Sequence, residues 1–346
     1  MSIQSPDTTV PPEVAASQHV FQIATGYIAS TALHIATKLR IADRLADGPR
    51  PVEELATGSG VTEDGLYRVL RSLSSIGVFE ETTPRTFANN LASATLRADV
   101  PGSTHPMVLW MADPFHLRVY ADAMHSLVTG QPAADKTVGM PVFDYLTRDT
   151  ELSEVFNNAM TAFSAFVIPS AIEAYDFSGI GTLVDVAGGH GQVLMSILEK
   201  HPQMRGVLFD LPHVIEGARP RIDGAGLSGR VTTAIGDFFK AVPEGGDAYI
   251  MKHIIHDWDD DRAVTILRNI AGAMTPGGRI ILLESVLTPA NQPDFGKLID
   301  LEMLLMPGGR ERTADEFRAL FDRAGFRVTR IVPTKSPLSV IEARSA

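Results

Sequence analysis

Apolar positions recur along this chain with two different periods. Between Glu13 and Phe163 the spacing is helical. From His19 to Leu45 it runs through Val20, Ile23, Ala24, Ile28, Leu33, Ile35, Leu39, Ile41 and Leu45, mostly in steps of three and four. The stretch from Tyr27 to Ala36 is apolar on nearly every face, which predicts burial in its own core or against a second subunit. Residues 52–79 predict helix, turn, helix and a short apolar exit, with Thr62-Glu63-Asp64 opening the second helix. That segment resembles a winged helix. Residues 1–12 are polar, end in Pro11-Pro12, and are expected to form a disordered tail.

From Thr182 short β-branched runs alternate with helical stretches. TLVDVA (182–187), GVLFD (206–210), VTTAI (231–235), DAYIMKH (247–253) and RIILLESV (279–286) predict strands, and Ala263–Met274 predicts a helix ended by Thr275-Pro276-Gly277-Gly278. Strand–helix alternation predicts an α/β fold, a doubly wound, mostly parallel sheet with helices on both faces. FRVTRIV and LSVIEAR near the end predict an antiparallel hairpin at one edge.

Composition narrows the function classes. At 346 residues two domains are expected, a helical one over 13–166 and a sheet domain over 167–346. The net charge of −11 disfavours general nucleic-acid binding. Residues 1–100 hold eight Lys and Arg against eleven Asp and Glu, and the second helix of the winged-helix-like segment offers only Arg68 and Arg71, so a DNA-reading role is not expected there. The absence of cysteine excludes disulfides, thiolate metal sites and the cysteine-held cluster of radical chemistry. With no run of about 18 apolar residues and no basic-then-apolar leader pattern, no membrane partner and a cytoplasmic location are expected.

The sharpest local feature is Leu183-Val-Asp-Val-Ala-Gly-Gly-His-Gly191, a strand running into glycines and then a helix from Gln192 to Lys200. Glycines permit tight turns and close approach of a ligand, and the loop sits at the carboxyl edge of a parallel sheet, where such folds bind ligands. A dinucleotide site wants a third glycine, but position 194 is Leu, and Asp185 inside the strand repels a pyrophosphate. Asp210 ends the next strand, where a carboxylate takes ribose hydroxyls, and Gly236-Asp237-Phe238 ends the one after, an acid and a ring suited to adenine. A cationic amino-acid end, a ribose and an adenine in that order match S-adenosyl-L-methionine (SAM) better than NAD.

On these motifs the chain resembles the SAM-dependent O-methyltransferases of the plant caffeate and bacterial small-molecule type. The resemblance extends to Phe156-Asn-Asn-Ala-Met160, Phe209-Asp-Leu-Pro-His-Val214, Lys252 to His256-Asp-Trp258, Leu283-Glu-Ser285 and Gly308-Gly-Arg-Glu-Arg-Thr313. It implies a Rossmann-like class I methyltransferase domain and a homodimer formed through the N-terminal domain, which also contributes to the substrate pocket. It further implies that Ala187, Gly188 and Gly189 hold the methionine part of SAM with Asp185, that Asp210 and Leu211 flank the ribose, that Asp237 and Phe238 bind adenine, and that Lys252 lies alongside. His256 is implied as general base, with Glu284 and Glu311 as the acids flanking it. Two departures stand out. Ala187 replaces the first of three glycines, which suits a negative φ, and Met306 stands near a polar position of the plant enzymes, which argues against a phenylpropanoid acceptor.

The expected reaction is metal-independent transfer of a methyl group from SAM to a hydroxyl of a small phenolic or polyketide-like acceptor, leaving S-adenosyl-L-homocysteine. A free phenol has a pKa of ~10, so a base is needed at neutral pH, and a histidine near pKa ~6.5 can accept its proton. A SAM-binding relative performing hydroxylation, decarboxylation or N-methylation is the alternative. Trp110, Phe143, Phe156, Met160, Phe163, Met303 and Met306 are candidates for an adaptable apolar substrate wall. His253 and His256 with Asp257 and Asp259–Asp261 suggest a divalent metal. The acids, however, open the next helix, where the dipole favours anions, and His253 is expected to pack as plain core, so no metal is expected.

Overall fold

The computed structural model describes residues 10–346. Of the tail expected over 1–12, residues 1–9 lie outside the described residues, and Pro12 already opens the first helix. The chain forms two compact units, one comprising residues up to Leu117 plus Glu154–Ala162, the other Arg118–Ser153 plus Phe163–Ala346. The chain thus passes between units more often than a single junction near residue 166 implies. Residues 154–162 of the long helix Thr150–Ala174 count with the first unit and the rest of its second half with the second. That helix is long and apolar enough to cross a bilayer by length and composition, but Val167, Ile168 and Ala171 on it are buried in the core of the second unit.

In the first unit the apolar run over 19–45 is divided into helices Pro12–Ala24, Gly26–Lys38 and Ile41–Arg44, the last break falling where Arg40 takes a positive φ of 54°. Ala32 and Ala36 are buried, whereas Val20, Phe21, Ile23, Tyr27 and Ile28 each stay more than half exposed on this single chain. Within residues 27–36, the core of this unit thus covers only part of the run. The winged-helix pattern is present: helices Val52–Ala56 and Glu63–Ser74 are followed by strands β2 (Glu80–Thr83) and β3 (Thr86–Ala88), which pair with β1 (Arg50–Pro51) in the order β1-β3-β2. Thr62 caps the second helix by accepting from the Gly65 N–H at 3.2 Å. That helix buries Leu66, Leu70 and Leu73 against Ile41, Phe79 and Phe87.

The second unit is built on a sheet of β4 (Thr182–Val186), β5 (Arg205–Asp210), β6 (Val231–Ile235), β7 (Gly246–Lys252), β8 (Met274–Glu284), and later β11 (Phe326–Pro333) and β12 (Ser339–Ser345), in the order β11-β12-β8-β7-β4-β5-β6. The central five strands are parallel and the terminal hairpin antiparallel. Successive residues of β4 point to opposite faces. Leu183 joins Val193, Leu194 and Ile197, while Val184 joins Ile266, Leu267 and Phe317. Burial on both faces explains the unbroken apolar runs. Met274 pairs with Gly246 in β7, so the Thr275–Gly278 segment belongs to the start of β8 rather than to a turn ending the preceding helix, Asp260–Ala273. Ala187 and His253, read as strand residues, both leave their strands with positive φ, 55° and 52°. A short parallel pair, β9 (Val286–Leu287) with β10 (Arg312–Thr313), ties the chain just after Glu284 to the chain just after Glu311.

Candidate active site

The glycine loop turns away from β4 at Ala187, whose N–H donates to the Phe209 carbonyl at 2.8 Å. Its positive φ departs from the negative value that suits alanine. A Cβ in this conformation crowds the carbonyl that follows it, at ~1–2 kcal/mol, and the flanking pairing of β4 with β5 imposes the turn. Gly188 has no room for a side chain, since a Cβ there would lie 2.6 Å from both the Asp185 carboxylate and Leu208. Asp185 is buried to 1% exposure, and its Oδ2 has no hydrogen-bond partner. Burial pushes its pKa up to about 7. Asp210 accepts from the N–H groups of Gly189 (2.8 Å) and Leu211 (2.7 Å), so its two oxygens splint the loop. Burial raises the Asp210 pKa, and those two N–H groups oppose the shift.

Asp237 accepts from the Phe239 N–H at 2.9 Å. Phe238 stands edge-on to Phe239, with ring centres 4.8 Å apart, and both approach Trp258. Lys252 closes β7. Burial lowers its pKa, while Glu284, Asp185 and Asp257 pull it back up. An orphaned carboxylate oxygen at one strand end, a backbone that admits no side chain and a fixed carboxylate at the next strand end form a donor set that fits a ligand with a cationic group and hydroxyls.

Beyond β7 the chain breaks into a single turn, Ile255–Asp257, carrying His256. Glu284, at the end of neighbouring β8, accepts from the N–H groups of Ile254 (3.1 Å) and Ile255 (2.9 Å). It therefore holds the turn's backbone rather than the imidazole. Its second oxygen is buried without a partner, 3.9 Å from Nδ1 of His253. Glu311 is the direct partner of the base candidate, with Oε1 2.7 Å from Nδ1 of His256. Asp257 approaches the other ring nitrogen, Oδ1 to Nε2, at 3.4 Å. Burial by itself lowers the His256 pKa, but Asp257, Glu284 and Glu311 together outweigh it and raise the pKa to about 9. Burial lifts Asp257 to about 6 and also raises Glu284.

The loop before β10 is fastened to this turn at several points. The Arg310 N–H donates to the His256 carbonyl at 2.7 Å, and the buried Arg312 guanidinium reaches the carbonyls of Ile255 (3.2 Å) and Trp258 (2.9 Å) and the Asp260 carboxylate (2.8 Å). Gly309 is forced, because a Cβ there would overlap the His256 carbonyl and the Asp257 backbone. Asp300 accepts from the Glu311 N–H at 2.8 Å, which places it at the site. Glu302 is buried too, and accepts from the Tyr120 hydroxyl.

His253 is not plain core. It stacks obliquely on His256 with ring centres 4.4 Å apart, meets Phe163 at 5.2 Å, and its Nδ1 lies 3.3 Å from the His256 ring nitrogens. The acids at 259–261 behave as expected in part: Asp259 caps the helix through the N–H groups of Asp261 and Arg262, both at 2.9 Å. Among the apolar candidates, Phe143 meets Trp258 at 6.3 Å, Met306 is buried, and the Met303 carbonyl receives the N–H groups of Gly308 and Gly309, all in the second unit. Trp110, Phe156 and Met160 lie in the first unit, Trp110 packed edge-on against Phe156 at 5.0 Å. Sequence reading named Asp257 only as a possible metal ligand, offered Asp300 only as a residue that could meet the pocket, and gave Arg312 no role. Arg312 holds the turn through two backbone carbonyls and the Asp260 carboxylate, contacts that no spacing reveals.

Residues 120–327 match the O-methyltransferase domain and residues 21–99 the O-methyltransferase dimerisation domain. The chain is 43% identical to the phenazine O-methyltransferase of Lysobacter antibioticus over 96% of its length and 97% of that protein's. It is 33% identical to the 8-amino-8-demethylriboflavin N,N-dimethyltransferase of Streptomyces davaonensis, over 98% of each chain. A solved O-methyltransferase from neocarzinostatin biosynthesis, in complex with SAM and 2-hydroxy-5-methyl naphthoic acid, superimposes with a TM-score of 0.81 at 32% identity, covering 92% of this chain and 96% of that one. With both domains matched and the similarity running nearly end to end, the chain belongs to the family of SAM-dependent O-methyltransferases.

Proposed function

We propose that this enzyme methylates a hydroxyl group of a small aromatic acceptor, with His256 removing the hydroxyl proton. That it carries out SAM-dependent methylation of a small aromatic or secondary metabolite follows from its family. The observation that carries the finer reading is the 2.7 Å contact between Glu311 and Nδ1 of His256. A carboxylate there holds the Nδ1–H tautomer and leaves Nε2 to take a proton, and it stabilises the cation that forms. Asp257, at 3.4 Å from Nε2, adds to that stabilisation. Glu284 keeps the ring's turn in place through two backbone N–H groups.

The cofactor supplies a methyl group activated on a positively charged sulfur. Asp185 offers its unpartnered oxygen to the ammonium end, and Gly188 and Ala187 present bare backbone. Asp210 with Leu211 flanks the ribose, Asp237 and Phe238 receive the adenine, and Lys252 balances the buried acids. Phe143, Phe163, Met303 and Met306 provide an apolar wall that keeps water from the acceptor. The exposed apolar side chains on the first two helices, inside the stretch that matches the dimerisation domain, support a homodimer.

Replacing His256 by Ala is expected to lower kcat by ~10²–10⁴ with SAM affinity retained. Near-full activity in that variant means that positioning alone drives transfer. The relationship to an N,N-dimethyltransferase favours a second reading, transfer to an aryl amine. A panel of phenols and aryl amines, with the methylated atom assigned by mass spectrometry and NMR, separates the two.

A further inference from the structure

His253, His256 and Glu311 offer one ligand atom each within 4.8 Å of one another, all from buried or nearly buried side chains. They come from three places: the strand-leaving residue after β7, the turn that follows it, and the loop before β10. We infer that this triad is an inhibitory site for a borderline-soft divalent ion such as Zn²⁺. Bond lengths of ~2.0–2.1 Å at a tetrahedral angle put two nitrogen ligands ~3.3–3.4 Å apart. The separation between Nδ1 of His253 and the nearest nitrogen of His256 is 3.3 Å. Glu311 sits 2.7 Å from His256, so it retreats by ~0.6 Å to become a ligand. It still has a buried oxygen without a partner, as does His253 on its outer nitrogen, so the triad is not saturated by other bonds.

Two imidazoles and one carboxylate select Zn²⁺, Ni²⁺ or Cu²⁺ over Mg²⁺ and Ca²⁺, which prefer all-oxygen sets. Glu284 and Asp257, beside the triad, supply further negative charge. An ion held here occupies a ring nitrogen of His256 and breaks its pairing with Glu311, so it silences proton removal. That inhibitory consequence rests on the proposed role of His256, whereas the binding does not.

The test uses the full-length protein. Co²⁺ alone is titrated and its visible absorption recorded, then displaced with Zn²⁺, and methyl transfer is measured against Zn²⁺ concentration with and without a chelator. The expected result is an intense tetrahedral Co²⁺ spectrum saturating at one ion per chain, lost in both His253→Gln and Glu311→Gln, with SAM binding retained as evidence of folding. In His253→Gln, half-inhibition moves to at least ~10-fold higher Zn²⁺. No such spectrum in the wild type, or one unchanged in both variants, overturns the site. A spectrum that obeys the mutations while Zn²⁺ leaves transfer untouched keeps the metal site and overturns His256 as the base.

Discussion

At the scale of single residues, the proposed base role of His256 carries a pH dependence that its electrostatics set. Three acids hold its pKa at about 9, well above the value of an ordinary histidine. At pH 7 only ~1 in 100 molecules then carries the neutral ring that accepts a proton. The rate constant kcat/KM for a phenolic acceptor is therefore expected to climb with pH until about 9. Glu311→Gln removes one of the groups that raise the pKa, so the ascending limb moves to lower pH while the plateau falls. A profile flat from pH 6 to 9 in the wild type rules out this base. Ala187 gives a second expectation. Because its φ of 55° is costly for any side chain, Ala187→Gly is expected to stabilise the fold by ~1 kcal/mol in urea unfolding, with SAM binding preserved. The acid series Asp185, Asp210 and Asp237 was legible in the sequence because strand ends in a parallel sheet are predictable. The sign of φ at residue 187 was not, since it depends on how β4 pairs with β5.

At the scale of elements, the sheet explains both what could be read and what could not. Runs such as IILL (280–283) and AYIM (248–251) are unbroken because both sides of each strand are covered, and that pattern survives without any knowledge of neighbours. The end of β8 was also legible, so Glu284 was placed near the histidine turn. Its actual role, gripping the N–H groups of Ile254 and Ile255, depends on the lateral register of β7 and β8, which hydrophobic spacing does not contain. The loop before β10 was identified only through family resemblance. Its fit is so close that Gly309→Ala must push the loop off the His256 turn. A loss of ~10²-fold in kcat is expected from the displaced base, with ~1–3 kcal/mol of lost stability from overpacking. Isothermal titration with SAM should show an affinity near that of the wild type. An unchanged kcat in Gly309→Ala shows that the loop does not set the position of His256.

At the scale of the whole molecule, the apolar run in the N-terminal half predicted more burial than one chain provides. Val20, Phe21, Ile23, Tyr27 and Ile28 remain uncovered, an excess of exposed apolar side chains for a single chain. If the chain forms the proposed homodimer through these helices, Phe21→Glu together with Ile28→Glu is expected to shift it toward monomer in sedimentation velocity relative to the wild type. A double variant that sediments like the wild type places the association elsewhere.

Asp210 has a consequence for how the cofactor is received. Both of its oxygens already bond to backbone N–H groups, one on Gly189 and one on Leu211, before any ligand arrives. The glycine-rich loop is thus shaped in advance, and the entropy of ordering it is lost when the chain folds rather than when the cofactor docks. With Asp210 taking the ribose as proposed, affinity for the nucleoside end depends less on induced order than on exchanging hydrogen-bond partners at one carboxylate.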